Sequence, residues 1–255
     1  MRLDAYLAEQ GLCRSRSRAA VLIRQGLVSV NGSVVSKAAF DVPPGADVRL
    51  LGDLSFVGRG ALKLERALDQ FDISVSDCTC MDVGASTGGF TDCMLRRGAK
   101  KVYAVDVGSG QLDPSLASDA RVVNFENTNI RYLDPEAFEP IDFVCADVSF
   151  ISLAHVLPVI GRLLRGQGSA VCLVKPQFEA GREYVGKNGI VKDRKVHIRV
   201  LRRVAAEAER CGLFPAGITV SPIKGGDGNT EYLMYLLPEP QSFPENKIES
   251  VVMQT

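Results

Sequence analysis

The sequence has no surplus of charge: 30 Lys and Arg balance 30 Asp and Glu over 255 residues. Net charge therefore names no partner. Histidine is scarce, with only His155 and His197, and the seven cysteines are scattered without a C-x-x-C pair. A structural zinc site needs four such ligands at short spacing, so no metal is expected. Cysteines that are odd in number and unpaired by spacing fit a reducing compartment, where they pack as small core side chains. No stretch approaches the roughly 18 apolar residues of a membrane span. The opening MRLDAYLAEQ lacks an apolar leader core, so a cytoplasmic protein without stable membrane association is expected. Internal repeats are absent, as are the G-x-x-x-x-G-K-[ST] phosphate loop and the G-x-G-x-x-G dinucleotide fingerprint. What remains is an ordinary globular composition, 46% hydrophobic and 24% charged. The length suits one large domain with a small one attached.

Charge is unevenly placed. Residues 1–40 hold six basic side chains (Arg2, Arg14, Arg16, Arg18, Arg24 and Lys37) against Asp4 and Glu9. A basic head on a slightly acidic remainder suggests nucleic acid or another anionic surface. In this head, Leu3, Tyr6 and Leu7 share a helical face that stops at Gly11. Ser15 can cap a second helix ending at Gly26. LVSVNGSVVS is a hairpin around Asn31-Gly32, and DVPPGADVRL adds a turn and a strand. A solvated helix face would explain the arginines, but their clustering at one helix start favours phosphate contacts. The order R-L-D-x-x-L, S-R-x-x-A, I-x-x-G-x-V-x-V-N-G resembles the RNA-binding module named after ribosomal protein S-four. Arg2, Leu3, Asp4, Leu7, Ser17, Arg18, Ala20, Ile23, Gly26, Val28, Val30, Asn31 and Gly32 carry the match. The resemblance implies binding to structured RNA.

Residues 51–57 read as a linker. The segment GRGALKLERAL follows. At 100° per residue, Leu64, Ala67, Leu68 and Phe71 share one face, with Glu65, Arg66 and Asp69 opposite. Lys63 falls on the border of the apolar stripe. From Cys78 onward, strands ending near Asp82, Asp106, Glu126, Asp147 and Lys175 alternate with helices. Two late strands lie in PAGITVSPI and TEYLMYLL. This pattern predicts an α/β, Rossmann-like domain over residues 58–238 with a seven-stranded, mostly parallel sheet, preceded by the small α+β head. The late pair can run antiparallel. Residues 239–255 read as a loose tail.

The turn Gly84, Ala85, Ser86, Thr87, Gly88, Gly89, Phe90 follows a strand and opens a helix. Glycines let backbone turn sharply and approach a ligand. Asp106, ending the next strand, can accept hydrogen bonds from ribose hydroxyls. Ser86 replaces the second glycine of the dinucleotide pattern, which matters less for a nucleoside without pyrophosphate. S-adenosyl-L-methionine fits that description. Asp82 could face its ammonium, and Asp147 lies at the same edge. A ligand-free βα turn would also account for the glycines.

Chemistry belongs just beyond the strand ends. Base N-methylation families carry an Asn/Asp-Pro-Pro-aromatic turn, where this chain has Asp147-Val148-Ser149-Phe150. Carbon-5 methylation needs a cysteine nucleophile, but Lys175 precedes Pro176 here. A ribose 2′-hydroxyl needs a base to take its proton. A lysine, ordinarily near 10.4, does so only when partly neutral. A neighbouring ammonium and partial desolvation help, whereas carboxylates orient it but push the other way. Singly, each candidate has a plain reading. Asp147 could be a turn cap, Lys175 an exposed strand-end lysine, Glu231 a surface residue and Lys63 a snorkelling helix-edge lysine.

Together, Lys63, Asp147, Lys175 and Glu231 resemble the Lys-Asp-Lys-Glu tetrad of FtsJ-type 2′-O-methyltransferases. With the head, the phrases VGRGALKLERAL, DVGASTGGFTD, VYAVDVGSGQLD, ADVSFISL, LVKPQFE, GIVKD and GNTEYL make the chain similar to the TlyA (haemolysin-A-like) family of bacterial rRNA methyltransferases over about residues 1–237. The family often has Ser where this chain has Gly58. The resemblance implies an S-adenosyl-L-methionine-dependent enzyme acting on ribosomal RNA or ribosomal subunits, with cytidine ribose as the usual target. Candidate phosphate contacts are Arg2, Arg14, Arg16 and Arg18, with Arg59, Arg182 and Lys187 elsewhere. Arg182, Lys187 and Lys192 sit in a glycine-rich loop, 177–193, that is either a solvated surface or a grip on RNA. Base N-methylation and membrane lysis, the activity behind the haemolysin name, remain the alternatives.

Overall fold

The computed structural model describes every residue except 14, 25, 51–55, 227 and 245, with residue 18 described by its backbone alone. Most of the expected linker thus lies outside the described residues. Two compact units emerge, Met1–Arg59 and Gly60–Thr255.

In the first unit, helices α1 (Leu3–Glu9) and α2 (Arg16–Arg24) pack on a three-stranded antiparallel sheet, β1 (Val28–Val30), β2 (Ser33–Val34) and β3 (Val48–Leu50), in the order β2-β1-β3. Leu3, Leu7, Ala19, Leu22, Ile23, Val28 and Val30 are buried. Asn31 and Gly32 both have positive φ, +50° and +77°. That is the tight hairpin turn whose twist matches its strands.

The second unit runs α3 (Gly60–Gln70), β4 (Thr79–Val83), α4 (Gly89–Arg96), β5 (Lys101–Val105), α5 (Pro114–Ala117), β6 (Val122–Phe125) and β7 (Phe143–Ala146). It continues through α6 (Leu157–Leu164), β8 (Ser169–Val174), α7 (Pro176–Glu179), α8 (Arg194–Arg210), β9 (Phe214–Val220), β10 (Tyr232–Leu237) and α9 (Lys247–Val252). Its seven strands are ordered β6-β5-β4-β7-β8-β10-β9. β10 runs antiparallel to both its neighbours, and the other pairings are parallel. The fold is Rossmann-like, and the order reverses beside β4, where such sheets open a crevice at their carboxyl ends.

Side chains alternate across the sheet. Met81 and Val83 of β4 join the core that contains Ile160, Leu163, Val200 and Val204 of α6 and α8. Asp82 points the other way and meets Thr91 of α4. The apolar stripe of α3 is buried, and Phe71 just beyond it stacks on Tyr235 of β10, ring centres 5.5 Å apart. Gly217 of β9 is required there, because a Cβ would fall 2.5 Å from the Phe71 ring. Asp193 caps α8 by accepting from Lys195 N–H at 2.8 Å.

The C-terminal stretch corrects the expectation of a loose tail. It ends in α9, which buries Ile248, Val251 and Val252 in the same core.

Candidate active site

Four elements bring the site together at the carboxyl edge of the sheet. α3 supplies Lys63, the residue after β7 is Asp147, the residue after β8 is Lys175, and the residue before β10 is Glu231. Lys63 Nζ donates to Glu231 Oε2 at 2.6 Å and lies 3.7 Å from Asp147. Lys175 Nζ lies 2.6 Å from Asp147 and donates to Ser149 Oγ at 2.8 Å. Lys63 and Lys175 are each 8% exposed and Glu231 2%. Lys63 is therefore no snorkelling surface lysine. Its place at the edge of the α3 stripe turns it over the strand ends, toward carboxylates 84 and 168 positions away. Ser149, noticed in the sequence only as a missing proline, is the hydroxyl partner of Lys175.

Two cavities adjoin this cluster. The larger, about 520 Å³, is walled by Val83, Val105, Asp106, Ile130 and the 147–151 turn. The smaller, about 200 Å³, lies against the glycine turn, Asp82, Asp147, Ser149 and Lys175. Asp106 accepts from Ser86 N–H at 2.8 Å and Gly108 N–H at 2.7 Å. A carboxylate has about four acceptor positions, which leaves capacity for ribose hydroxyls. Within the glycine turn, Gly84 and Ala85 N–H donate to Val105 C=O, Ser86 N–H to Asp106 and Gly88 N–H to Ala85 C=O. These amides are spent inside the protein, so the turn is poorly suited to a pyrophosphate. A cleft with an apolar wall at Val83, Val105 and Ile130, a carboxylate at Asp106 and a turn whose amides are largely spent fits S-adenosyl-L-methionine better than a dinucleotide.

Gly84 and Gly89 line the cavities, and the glycines also serve close approach within the protein. A Cβ at Gly84, where φ is +86°, would fall 2.6 Å from the Asp147 carbonyl oxygen. At Gly88 it would meet Leu116, and at Gly89 the backbone of Gly60 and Ala61. They allow close approach of protein segments, which brings β4, β7 and α3 together around Phe90 and the cavities. Ala85, Ser86, Thr87 and Phe90 line the smaller cavity.

Asp82 differs from expectation. Its carboxylate does not open to a ligand ammonium. It is 0% exposed and accepts both the N–H and the hydroxyl of Thr91, at 2.9 and 2.7 Å. Burial pushes its carboxyl up to about 7 despite those bonds. It pins the start of α4 beneath the cavity. Cys145 and Cys172 are fully buried, and burial pushes their thiols up, Cys172 to about 12. Neither can present a thiolate, consistent with core roles.

In the head, Asp4 gathers Arg2 and Arg16. Arg2 bonds it through Nε and Nη2, and Arg16 lies 3.6 Å away. The Arg2 bond holds the Asp4 carboxyl down to about 2. Both arginines stay largely exposed. Arg14 and the side chain of Arg18 lie outside the described residues. Arg59 packs its guanidinium near Gly26. Arg182 and Lys187 are exposed on the loop after α7. Among the described residues no side-chain group could hold a metal ion, and no helix is long and apolar enough to cross a membrane.

Comparison with known proteins decides the family. The model of the FtsJ-like methyltransferase family matches residues 56–237, and that of the S4 domain matches residues 1–48. The chain belongs to the FtsJ-like methyltransferase family. Among relatives of this FtsJ-like chain is the 16S/23S rRNA (cytidine-2′-O)-methyltransferase TlyA of Mycobacterium tuberculosis, 45% identical over 92% of this chain and 89% of that protein. Hemolysin A of Brachyspira hyodysenteriae is 42% identical, covering 93% of this chain and all of that protein. A solved structure from Streptococcus thermophilus, described as a candidate hemolysin, is 44% identical. It matches this FtsJ-like chain with a TM-score of 0.78 over 100% of this chain and 94% of that one.

Proposed function

We propose that this chain transfers the methyl group of S-adenosyl-L-methionine to a ribose 2′-hydroxyl, on cytidine of ribosomal RNA, in the cytoplasm. The observation that carries the reading is the chain Glu231–Lys63–Asp147–Lys175, buried except at the half-buried Asp147, with contacts of 2.6, 3.7 and 2.6 Å, beside the nucleoside-sized cleft. A close relative named for cytidine-2′-O methylation adds the substrate class.

The cofactor supplies an electrophilic methyl group. Asp106 would accept from its ribose hydroxyls, and Val83, Val105 and Ile130 would contact its adenine. Lys175 would be the base of this scheme: in its neutral form Nζ would take the 2′-hydroxyl proton and ready the oxygen for the methyl group that the cofactor would supply, its sulfur leaving as a thioether. Asp147 and Ser149 hold that Nζ in place from two sides. Lys63, tied to Glu231, stands on the other side of Asp147 and shares its charge. The head and the loop carrying Arg182 and Lys187 contact RNA phosphates, which position without reading sequence.

The test is methylation of ribosomal subunits and naked rRNA with labelled cofactor, followed by nuclease mapping and nucleoside mass spectrometry. The expected product is a 2′-O-methylated cytidine. A methylated base would replace the ribose reading, and no transfer to any RNA would refute it. Liposome leakage by purified protein would favour the membrane-lytic alternative.

A further inference from the structure

Glu231 is flanked on both sides by residues that reach into one loop. Two positions before it, Asn229 is 1% exposed. Its Oδ1 accepts from Val191 N–H at 3.0 Å, and its Nδ2 donates to Gly189 C=O at 2.8 Å. One position after it, the Tyr232 hydroxyl lies 2.7 Å from His197 Nδ1. His197 Nε2 lies 2.8 Å from Val191 C=O. A carbonyl only accepts, so Nε2 carries the hydrogen and Nδ1 accepts from Tyr232. Val191 is thus held through its N–H by Asn229 and through its C=O by His197, which Tyr232 orients.

The same loop bears Arg182 and Lys187. Its far end is closed on itself by Gly186 N–H to Ile190 C=O at 3.0 Å and Gly189 N–H to Gly186 C=O at 2.9 Å. Asn229 also acts through its backbone. Its C=O accepts from Gly225 N–H at 2.9 Å. Gly225 in turn walls Glu231, since a Cβ there would fall 2.5 Å from Oε1. Ser221 N–H donates to Glu231 C=O at 2.9 Å. A single buried amide side chain therefore joins the basic loop to the backbone that aims Glu231 at Lys63. A buried amide is costly unless both its ends are bonded, and here both ends serve the loop.

We propose that Asn229 is a positioning residue that couples the basic 181–191 loop to Glu231, so that seating of the loop sets the Glu231–Lys63 contact. The inference rests on the methyl-transfer reading for its effect on turnover but not for its effect on structure.

Full-length wild type, Asn229→Ala and Asn229→Asp are compared by amide hydrogen exchange at Val191 and Ser221. They are also compared by S-adenosyl-L-methionine affinity and by kcat and KM on ribosomal subunits. In Asn229→Ala, both amides are expected to exchange faster, with cofactor affinity within about twofold and kcat down about 10- to 100-fold, the scale of a small misplacement of a reacting group. Asn229→Asp keeps the acceptor for Val191 N–H but sets a carboxylate oxygen against Gly189 C=O, so the loop is expected to loosen at Gly189 first and Val191 to keep more of its protection. It also serves should the alanine variant fail to fold. Faster exchange at Val191 alone, with Ser221 and kcat unchanged, would reduce Asn229 to a loop anchor and overturn the coupling. Unchanged exchange at both would overturn it outright. A wild type that methylates no RNA would sink the functional reading, while the two amides would still decide the coupling.

Discussion

Lys63→Ala is the most informative single change, because the structure predicts two separable losses. The first is stability. Lys63 is the charged partner of Glu231, and the carboxylate is 2% exposed. Removing one member of a buried pair strands the other charge, which costs roughly 3–5 kcal/mol. In a domain of this size each kcal/mol lowers the melting temperature by about 2–4 °C, so the expected drop is roughly 6–20 °C. The second loss is turnover, by about 10²–10⁴-fold if the lysine pair serves proton transfer. The double variant Lys63→Met, Glu231→Gln separates the two. It fills the lysine stem with methionine and removes the stranded charge, so most of the melting temperature should return while activity stays lost. Scanning calorimetry and the labelled-methyl assay on the same preparations read both quantities. Wild-type melting together with wild-type turnover in Lys63→Ala would refute the reasoning and return Lys63 to an ordinary helix edge.

Two further changes test other parts of the site. The Asp82 carboxyl is pushed up to about 7 in the fold, against about 3.9 in an unfolded chain. The unfolded chain gives up this proton first as pH rises, so Asp82 makes the fold less stable progressively from about pH 4 to pH 7 and leaves it so above that. Asp82→Asn removes the penalty, and the melting-temperature difference, variant minus wild type, should grow between pH 5 and pH 8; a difference that does not vary with pH would contradict it. Asp106→Ala takes away a carboxylate facing the larger cavity, and a charged hydrogen bond is worth about 1.5–3 kcal/mol. Cofactor affinity by calorimetry should fall roughly 10- to 150-fold at that value; unchanged affinity would remove Asp106 from the cofactor site.

Local chemistry made much of this protein readable from its chain. Asn31-Gly32 can hardly be other than a tight hairpin, because both residues tolerate positive φ. The alternation of apolar strands with helices, punctuated by glycine turns, dictates a parallel sheet with its functional edge at the strand ends. The stripe of α3 placed Lys63 at a border from helical geometry alone. The tetrad became legible only through resemblance to a family. No periodicity links Lys63 to Glu231, and their 2.6 Å contact is a product of packing.

Tertiary structure decided the rest, in each case because the deciding partner is remote in sequence. α9 is six residues long, too short to form without a surface to cover it, so nothing local distinguished it from a tail. Asp82 turned inward because Thr91, brought over by α4, supplied two donors. Gly84 and Gly89 were needed for strand and helix to approach, which a motif cannot distinguish from approach to a ligand. Backbone preference and apolar spacing make the strands and longer helices, their order and the edge where chemistry belongs readable from the chain alone. Which charges are buried, which are paired and which residue holds another in place depends on desolvation and contact across the fold, and those exist only once the sheet has closed around them.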